Sequence, residues 1–297
     1  MRRIQRTIML GILSASLAPV EAATSQTTAR VLLTDTLGSF EFVDRRGDPT
    51  RPVRVWYYRP AAAKPPAGVV FLLHGSSRTG QQAQTLGAAF AREHNVVLLA
   101  PEFSTEHFPD IVYDFGGMTS ADGKLRADSL WTLNVIEHLF DAVRQAVPVV
   151  DSTYDIVGHS AGGQFVHRLV LFVPGARYRR AVVSSPGRYV FPVMNVAFPY
   201  GLQGSPADSA SRRHAFSKDV ILVLGDKDVA DQARAWEPQT MAQGRNRFAR
   251  GLHFFASAAE ESTAMAVPFG WKLEIVHGVD HDPPRMVRAA LSMLRDD

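Results

Sequence analysis

The chain has 297 residues, no cysteine, and 32 Lys and Arg against 29 Asp and Glu, a formal charge of +3. Hydrophobic residues make up 46% and charged residues 21%, a globular composition that excludes a disordered chain, a collagen or a disulfide scaffold. Without cysteine there is no thiol nucleophile, CxxC redox pair or Cys-ligated zinc, and so balanced a charge gives no reason to expect nucleic acid or an anionic membrane as partner.

The first residues, Met1-Arg2-Arg3-Ile4-Gln5-Arg6, are positive, and residues 8–20 are an apolar run broken only by Gly, Ser and Pro. Val20-Glu21-Ala22 then offers small residues at the −3 and −1 positions of a cleavage site. Residues 1–22 therefore read as a secretory signal peptide, with export from a bacterial cytoplasm to the periplasm or the medium. The run is too short for a stable membrane span; a retained N-terminal anchor is the alternative. Cleavage would remove Arg2, Arg3, Arg6 and Glu21 and lower the charge from +3 to +1.

No repeat, charge block or Gly/Ser linker divides residues 23–297, which read as one domain. Residues 51–58 predict an early strand, closed by Arg59-Pro60 and followed by an Ala/Pro linker. Short apolar runs follow at 68–73, 96–100, 154–157, 180–183, 220–224 and 272–276. Runs without alternation suit strands buried on both faces of a parallel sheet. Helix-length segments lie between them at 81–93, 128–145, 162–172, 245–264 and 284–294, so the pattern predicts an α/β fold, a mostly parallel central sheet flanked by helices on both faces. Two long stretches interrupt it, 103–124 and 186–217, of a length that points to lids or binding loops.

Gly158-His159-Ser160-Ala161-Gly162 fits GxSxG directly after one predicted strand and at the start of a helix, the setting of a nucleophile elbow. Its glycines permit a tight turn that lifts Ser160 out of the sheet; the alternative is a helix start with Ser160 as its N-cap. Serine needs a base, and the base an orienting carboxylate. Asp226 and Asp228 lie just beyond the 220–224 strand, and His277 and His281 just beyond the 272–276 strand. These are carboxyl ends of predicted parallel strands, where α/β sheets place their sites. The preferred set is Ser160, Asp228 and His281; Asp226 and His277 remain competitors. His74-Gly75-Ser76-Ser77 ends another buried strand, and the backbone N–H groups of Ser76 and Ala161 are the candidate oxyanion hole. An ordinary turn with Gly75 at positive φ is the alternative there.

At Leu73-His74-Gly75, 158–162, 224–228 and 278–283 the chain resembles the α/β-hydrolase superfamily, over nearly all of residues 23–297. Within it, His74-Gly75, Pro101-Glu102-Phe103 and 279–283 are similar to secreted esterases and the polyhydroxybutyrate depolymerase-like group. The resemblance implies a Ser-His-Asp triad, an acyl-enzyme intermediate, and no metal or cofactor. The chain departs from dienelactone-hydrolase relatives in carrying Ser instead of Cys, and from the hormone-sensitive-lipase type in lacking an HGGG run.

The expected activity is hydrolysis of carboxylic esters, small or polymeric; a serine peptidase on the same fold and a catalytically idle binding protein are its rivals. Tyr189, Phe191, Phe198 and Tyr200, in the 186–217 stretch, either wall an acyl site or pack that stretch onto the body. Glu102, His107, Asp110, Tyr113 and Asp114 read as a solvated polar loop.

Overall fold

The computed structural model describes residues 36–61, 65–230 and 237–295; the signal-peptide reading of residues 1–22 lies outside them. Eight strands form one sheet: β1 (Leu37–Phe42), β2 (Val53–Tyr58), β3 (Val69–Leu73), β4 (Val97–Glu102), β5 (Tyr154–His159), β6 (Tyr178–Ser184), β7 (Val220–Gly225) and β8 (Trp271–Val276). Their order is β1-β2-β4-β3-β5-β6-β7-β8. β2 pairs antiparallel with β1 and β4, and every later neighbour is parallel. The β1 strand has no apolar run to announce it: in LGSFEF only Phe40 is buried, and pairing with β2 makes it a strand.

The helices are α1 (Gly80–Glu93), α2 (Asp110–Tyr113), α3 (Val135–Ala146), α4 (Ala161–Phe172), α5 (Ser209–Ser217), α6 (Pro238–Gln243), α7 (Arg247–Ala264) and α8 (Pro283–Ser292). Strand side chains alternate between two cores. Val69, Phe71 and Leu73 face a large aromatic-rich core with α3, α4 and α7, whereas Val70 and Leu72 face a smaller one with Ala83 and Ala91 of α1 and Met286, Val287 and Leu291 of α8. Both faces are thus covered, as the unalternating runs require. Among the described residues, no helix is long and apolar enough to cross a membrane.

The 128–145 helix starts later than its sequence suggests. Trp131 is extended (φ −72°, ψ 133°), which splits the beginning into two 3₁₀ turns before α3. The 186–217 stretch is not all loop, because Asp208 and Ser211 cap each other reciprocally and open α5.

Candidate active site

The elbow comes first. β5 runs into α4 through Ser160, held at φ 57° and ψ −114°. A side chain at Gly158 would strike the Gly162 carbonyl, and one at Gly162 would sit 2.5 Å from the Leu73 carbonyl oxygen. Only glycine fits either place, so strand and helix close on Ser160. Ser160 does occupy the N-cap position of α4, but its hydroxyl makes no cap bond. Its backbone N–H is anchored to Ser184 of the neighbouring β6 at 2.8 Å, leaving the hydroxyl to point elsewhere.

It points to His281. His281 Nε2 lies 2.9 Å from Ser160 Oγ, and His281 Nδ1 lies 2.7 Å from Asp228 Oδ2. A carboxylate only accepts, so Nδ1–H donates to Asp228 and Nε2 is left to accept the serine proton. Each partner is fixed locally. Asp228 closes a turn with its N–H on the Gly225 carbonyl (3.1 Å). His281 precedes α8, whose start is set by Asp282 capping Arg285 at 2.8 Å and by Pro283 in the first turn. Asp228 is 4% exposed. Burial pushes its pKa up, but the His281 hydrogen bond and the charges of His281 and Arg247 outweigh this and leave it below the ordinary value. Arg247, the first residue of α7, reaches the other oxygen, Oδ1, at 3.4 Å.

The competing pair lies apart from this chain of bonds. Asp226 accepts from Gly278 N–H at 2.8 Å and from His277 Nδ1 at 3.1 Å, at the exposed end of the same turns. It staples the β7 loop to the β8 loop, as do Asp226 N–H to Val276 and Lys227 N–H to Val279.

Opposite the relay lies the loop after β3. A Cβ placed on Gly75 would be 3.4 Å from Ser160 Cβ, so this backbone passes beside Ser160. Ser76 lines the same cavity as Ser160 and His281. Ala161 is the first residue of α4, and its N–H is one of those a helix start leaves open. The turn runs from Gly75 to Arg78, whose N–H returns to the Gly75 carbonyl at 3.1 Å. Arg78, not Gly75, takes positive φ (56°).

Solved structures of the same shape are numerous. Poly(aspartic acid) hydrolase-1 of Sphingomonas sp. KT-1 is 33% identical, with 86% of this chain and 97% of that one covered at a TM-score of 0.82. The chain belongs to the α/β-hydrolase superfamily. A poly(3-hydroxybutyrate) depolymerase of Bordetella parapertussis, LpqC, is 28% identical over 91% of this chain and 93% of its own, at 0.86. Siderophore hydrolase EstB of Aspergillus nidulans shares the fold alone, at 15% identity, 87% and 92% coverage and 0.52. No protein-family model and no curated protein matches the chain.

The loop read as solvated proves to be the support of this hydrolase's Gly75–Ser76 backbone. Tyr113 is wholly buried and Asp114 7% exposed. Arg78 Nη1 donates to the carbonyls of Phe103 (3.0 Å) and Phe108 (2.7 Å), and Nη2 pairs with Asp110 (2.7 Å) and lies 3.6 Å from Asp114. Its guanidinium sits 4.6 Å over the Tyr113 ring, and Tyr113 O–H donates to the His74 carbonyl at 2.7 Å. His74 donates from Nδ1 to the Gly75 carbonyl (2.9 Å) and accepts the Phe103 N–H on Nε2 (3.0 Å). Burial, with Arg78 nearby, pushes its pKa down to about 4, so the ring stays neutral in those two bonds. Glu102, at the end of β4, accepts from Trp56 Nε1 and Gly80 N–H, both at 2.9 Å.

Of the two readings for the aromatic residues of the second stretch, acyl wall or packing onto the body, the contacts are those of packing. None of the four lines the cavity that holds Ser160. Tyr189 is wholly buried and stacks on Phe254 (4.5 Å), Phe191 packs edge-on to His253, and Phe198 edge-on to Phe172. Tyr200 O–H donates to Glu237 at 2.5 Å. The first three pin the stretch to α4 and α7, and Tyr200 ties it to the residue ahead of α6: apolar residues in a long loop bury themselves whether or not a ligand is near.

Sequence reading passed over His159. It is 2% exposed, bonds Ser184 Oγ at 3.1 Å, and packs its ring 4.8 Å from that of His281. Burial and the neighbouring His281 push its pKa down to about 3, so it presents a neutral face to His281. Its place inside GxSxG was the available signal.

Proposed function

We propose that the chain hydrolyses carboxylic esters with Ser160 as nucleophile, His281 as general base and Asp228 as the acid that orients it. Ser160 Oγ attacks the acyl carbonyl while His281 Nε2 takes its proton; the tetrahedral adduct collapses, the alcohol leaves with that proton, and the acyl group stays on Ser160. Water then attacks the acyl-enzyme by the same proton path and frees the acid. Asp228 holds the ring in the tautomer that leaves Nε2 open and stabilises the imidazolium once formed. The N–H groups of Ser76 and Ala161 are assigned to the developing oxyanion.

The support is the unbroken pair of bonds from Asp228 to His281 at 2.7 Å and from His281 to Ser160 at 2.9 Å. Treatment with a fluorophosphonate should label Ser160 stoichiometrically, and p-nitrophenyl esters should turn over. A protein that is neither labelled nor active on esters would be a binding protein that keeps the fold.

A second reading, cleavage of an amide bond by the same residues, is favoured by one observation: the 33% identical relative is a poly(aspartic acid) hydrolase. Side-by-side turnover of p-nitrophenyl butyrate and poly(aspartic acid) decides between them. We assign residues 1–22 as a cleaved leader, on the positive start and the Val20-Glu21-Ala22 site; N-terminal sequencing of exported protein should begin at Ala23.

A further inference from the structure

Asp228 divides its carboxylate between two partners of unequal strength. Oδ2 accepts from His281 Nδ1 at 2.7 Å, the length of a charge-assisted bond. Oδ1 meets Arg247 Nη1 at 3.4 Å, beyond the ordinary length of such a bond. His281 therefore holds the carboxylate more tightly, and Arg247 acts on it mainly as a nearby positive charge. Neither side chain is freely solvated: that of Asp228 is 4% exposed and that of Arg247 18%.

The Arg247 side chain is not what joins the two segments. Phe248 N–H donates to the Asp228 carbonyl at 3.2 Å, Asn246 Nδ2 donates to the Val229 carbonyl at 3.4 Å, and Asn246 Oδ1 caps the Ala249 N–H at 2.8 Å. These bonds seat the start of α7 on the β7 loop from both sides of Arg247. A helix start is its positive end, where Asp and Glu are favoured and Arg is not. Arg247 is the first residue of an 18-residue helix and works against it. A departure from the local rule is expected where a side chain serves a site.

Resting on the reading of Ser160, His281 and Asp228 as an ester-hydrolysing relay, we propose that Arg247 is a positioning residue whose positive charge, acting through Asp228, opposes protonation of His281 and extends the working range of the site towards acid. The same opposition makes the imidazolium formed during attack a readier proton donor to the departing alcohol. Arg247 itself exchanges no proton. The other groups around the relay do not supply this effect. His159 of β5 is neutral, its pKa pushed down to about 3, and Tyr189, beyond β6, is pushed up by burial. Arg250, one turn further into α7, is a second cation near Asp228 and donates to the Gly244 carbonyl at 3.1 Å. On the loops themselves Lys227 and Asp280 are exposed, Asp226 pairs with His277, and Asp282 caps α8.

The experiment follows kcat/KM for p-nitrophenyl butyrate from pH 5 to 9 in wild type, Arg247→Met, Arg247→Gln and Arg247→Lys, with thermal melting and fluorophosphonate labelling of each. Both neutral variants should move the acid limb up by about half a pH unit, the scale for unit charges roughly 8 Å apart near a protein surface. Their kcat/KM should fall about threefold at pH 5.5, and the loss should shrink as pH rises to 8.5. Arg247→Lys keeps the charge and should restore the wild-type limb. Labelled, active neutral variants whose limb stays in place overturn the proposal, as does an equal displacement in Arg247→Lys, which would come from the shape of the side chain and not its charge. Failure of both neutral variants to fold would make Arg247 a structural support and overturns the proposal as well. Wild-type protein that neither takes the label nor turns over ester overturns the relay itself, and the proposal with it.

Discussion

The two sides of Ser160 are built by opposite means. On one side three side chains, Asp228, His281 and Ser160, are aligned by turns at the ends of β7, β8 and β5, the bonded partners lying 53 and 121 positions apart in the chain. On the other side the backbone of Gly75 and Ser76 is presented, and the side chains beneath it, Arg78, His74 and Tyr113, hold it in place by bonds to carbonyls. The relay side is polar at its working surface. The opposite side is polar underneath, where Arg78 and Asp114 are both buried. Damage to the first should therefore appear as lost chemistry in a stable protein. Damage to the second should appear first as lost stability.

The largest expected effect tests the relay side. Ser160→Ala removes a hydroxyl that makes no cap bond, so the melting temperature should hold while kcat falls by about a millionfold, the scale known for the serine of subtilisin. More than a few per cent residual activity would overturn the nucleophile assignment. Asp228→Asn comes next. It replaces the acceptor for His281 Nδ1–H with a group that can also donate, so the ring can settle in the wrong tautomer. A loss of about ten-thousandfold in kcat with little change in KM is expected, as in the chymotrypsin case.

The opposite side is tested by Arg78→Met. This keeps an unbranched apolar stem over Tyr113 but removes two carbonyl bonds and leaves Asp114 without one of its nearby cations. Breaking a buried pair by removing one partner costs about 3 kcal/mol or more, a drop of roughly 6 °C or more in melting temperature for a chain of this size. Denaturant melts read the loss directly. An unchanged Tm alongside lost activity would place Arg78 on the chemical side and erase the distinction.

The distinction also governs what the sequence discloses. Ser160, Asp228 and His281 each follow an apolar run, so strand ends and chain order bring them forward as candidates without knowledge of contacts. The network under Gly75 cannot be read this way. Arg78 meets its partners 25 to 36 residues away, in a stretch with no periodicity, and polar residues in such a stretch look solvated until a buried guanidinium is found among them. The choice between Asp226 and Asp228 rests on which side of one turn faces the histidine, a property of backbone direction. β1 was missed because its ladder partner, and not its own composition, makes it a strand. The aromatics of the 186–217 stretch carried the right signal, burial, without saying what buries them.

Both sides carry a neutral buried histidine, and this predicts a shared pH dependence. His74 is held down to about 4 and His159 to about 3, while His167, a buried residue of α4, is also well below its ordinary value. In the unfolded chain each takes up a proton near pH 6.5; in the fold each resists it. The contribution of these rings is therefore complete above pH 6.5 and declines as pH falls towards 4, by about 3 kcal/mol from His74 alone, set against the buried Asp114 and Asp155, whose pKa values burial raises. Asp228, held below its ordinary value, adds to the loss only below the carboxylate range. Urea melts at pH 7.5 and 4.5 should differ accordingly in wild type and in Ser160→Ala alike. A flat profile would mean that these rings are accessible to protons.

The smallest expected effect is the most exacting test of the relay side. Asp226 shares a turn with Asp228 and its carboxylate is also held below its ordinary pKa, mainly by the His277 hydrogen bond. What separates the two acids is the identity of the histidine each one meets. Asp226 faces His277 and the Gly278 N–H at the solvent edge, where a hydrogen-bonded surface pair contributes little. Asp226→Asn can still accept the Gly278 N–H through its amide oxygen, so the β8 loop that carries His281 stays in register. Activity should remain within about tenfold of wild type, the ~1.4 kcal/mol that an exposed contact can rarely exceed. Its kcat should also keep the wild-type dependence on pH, since no proton in the relay passes through Asp226. If Asp226→Asn lost as much kcat as Asp228→Asn, the acid of the relay would have to be reassigned, or the two loops would have to be shown to move as one unit.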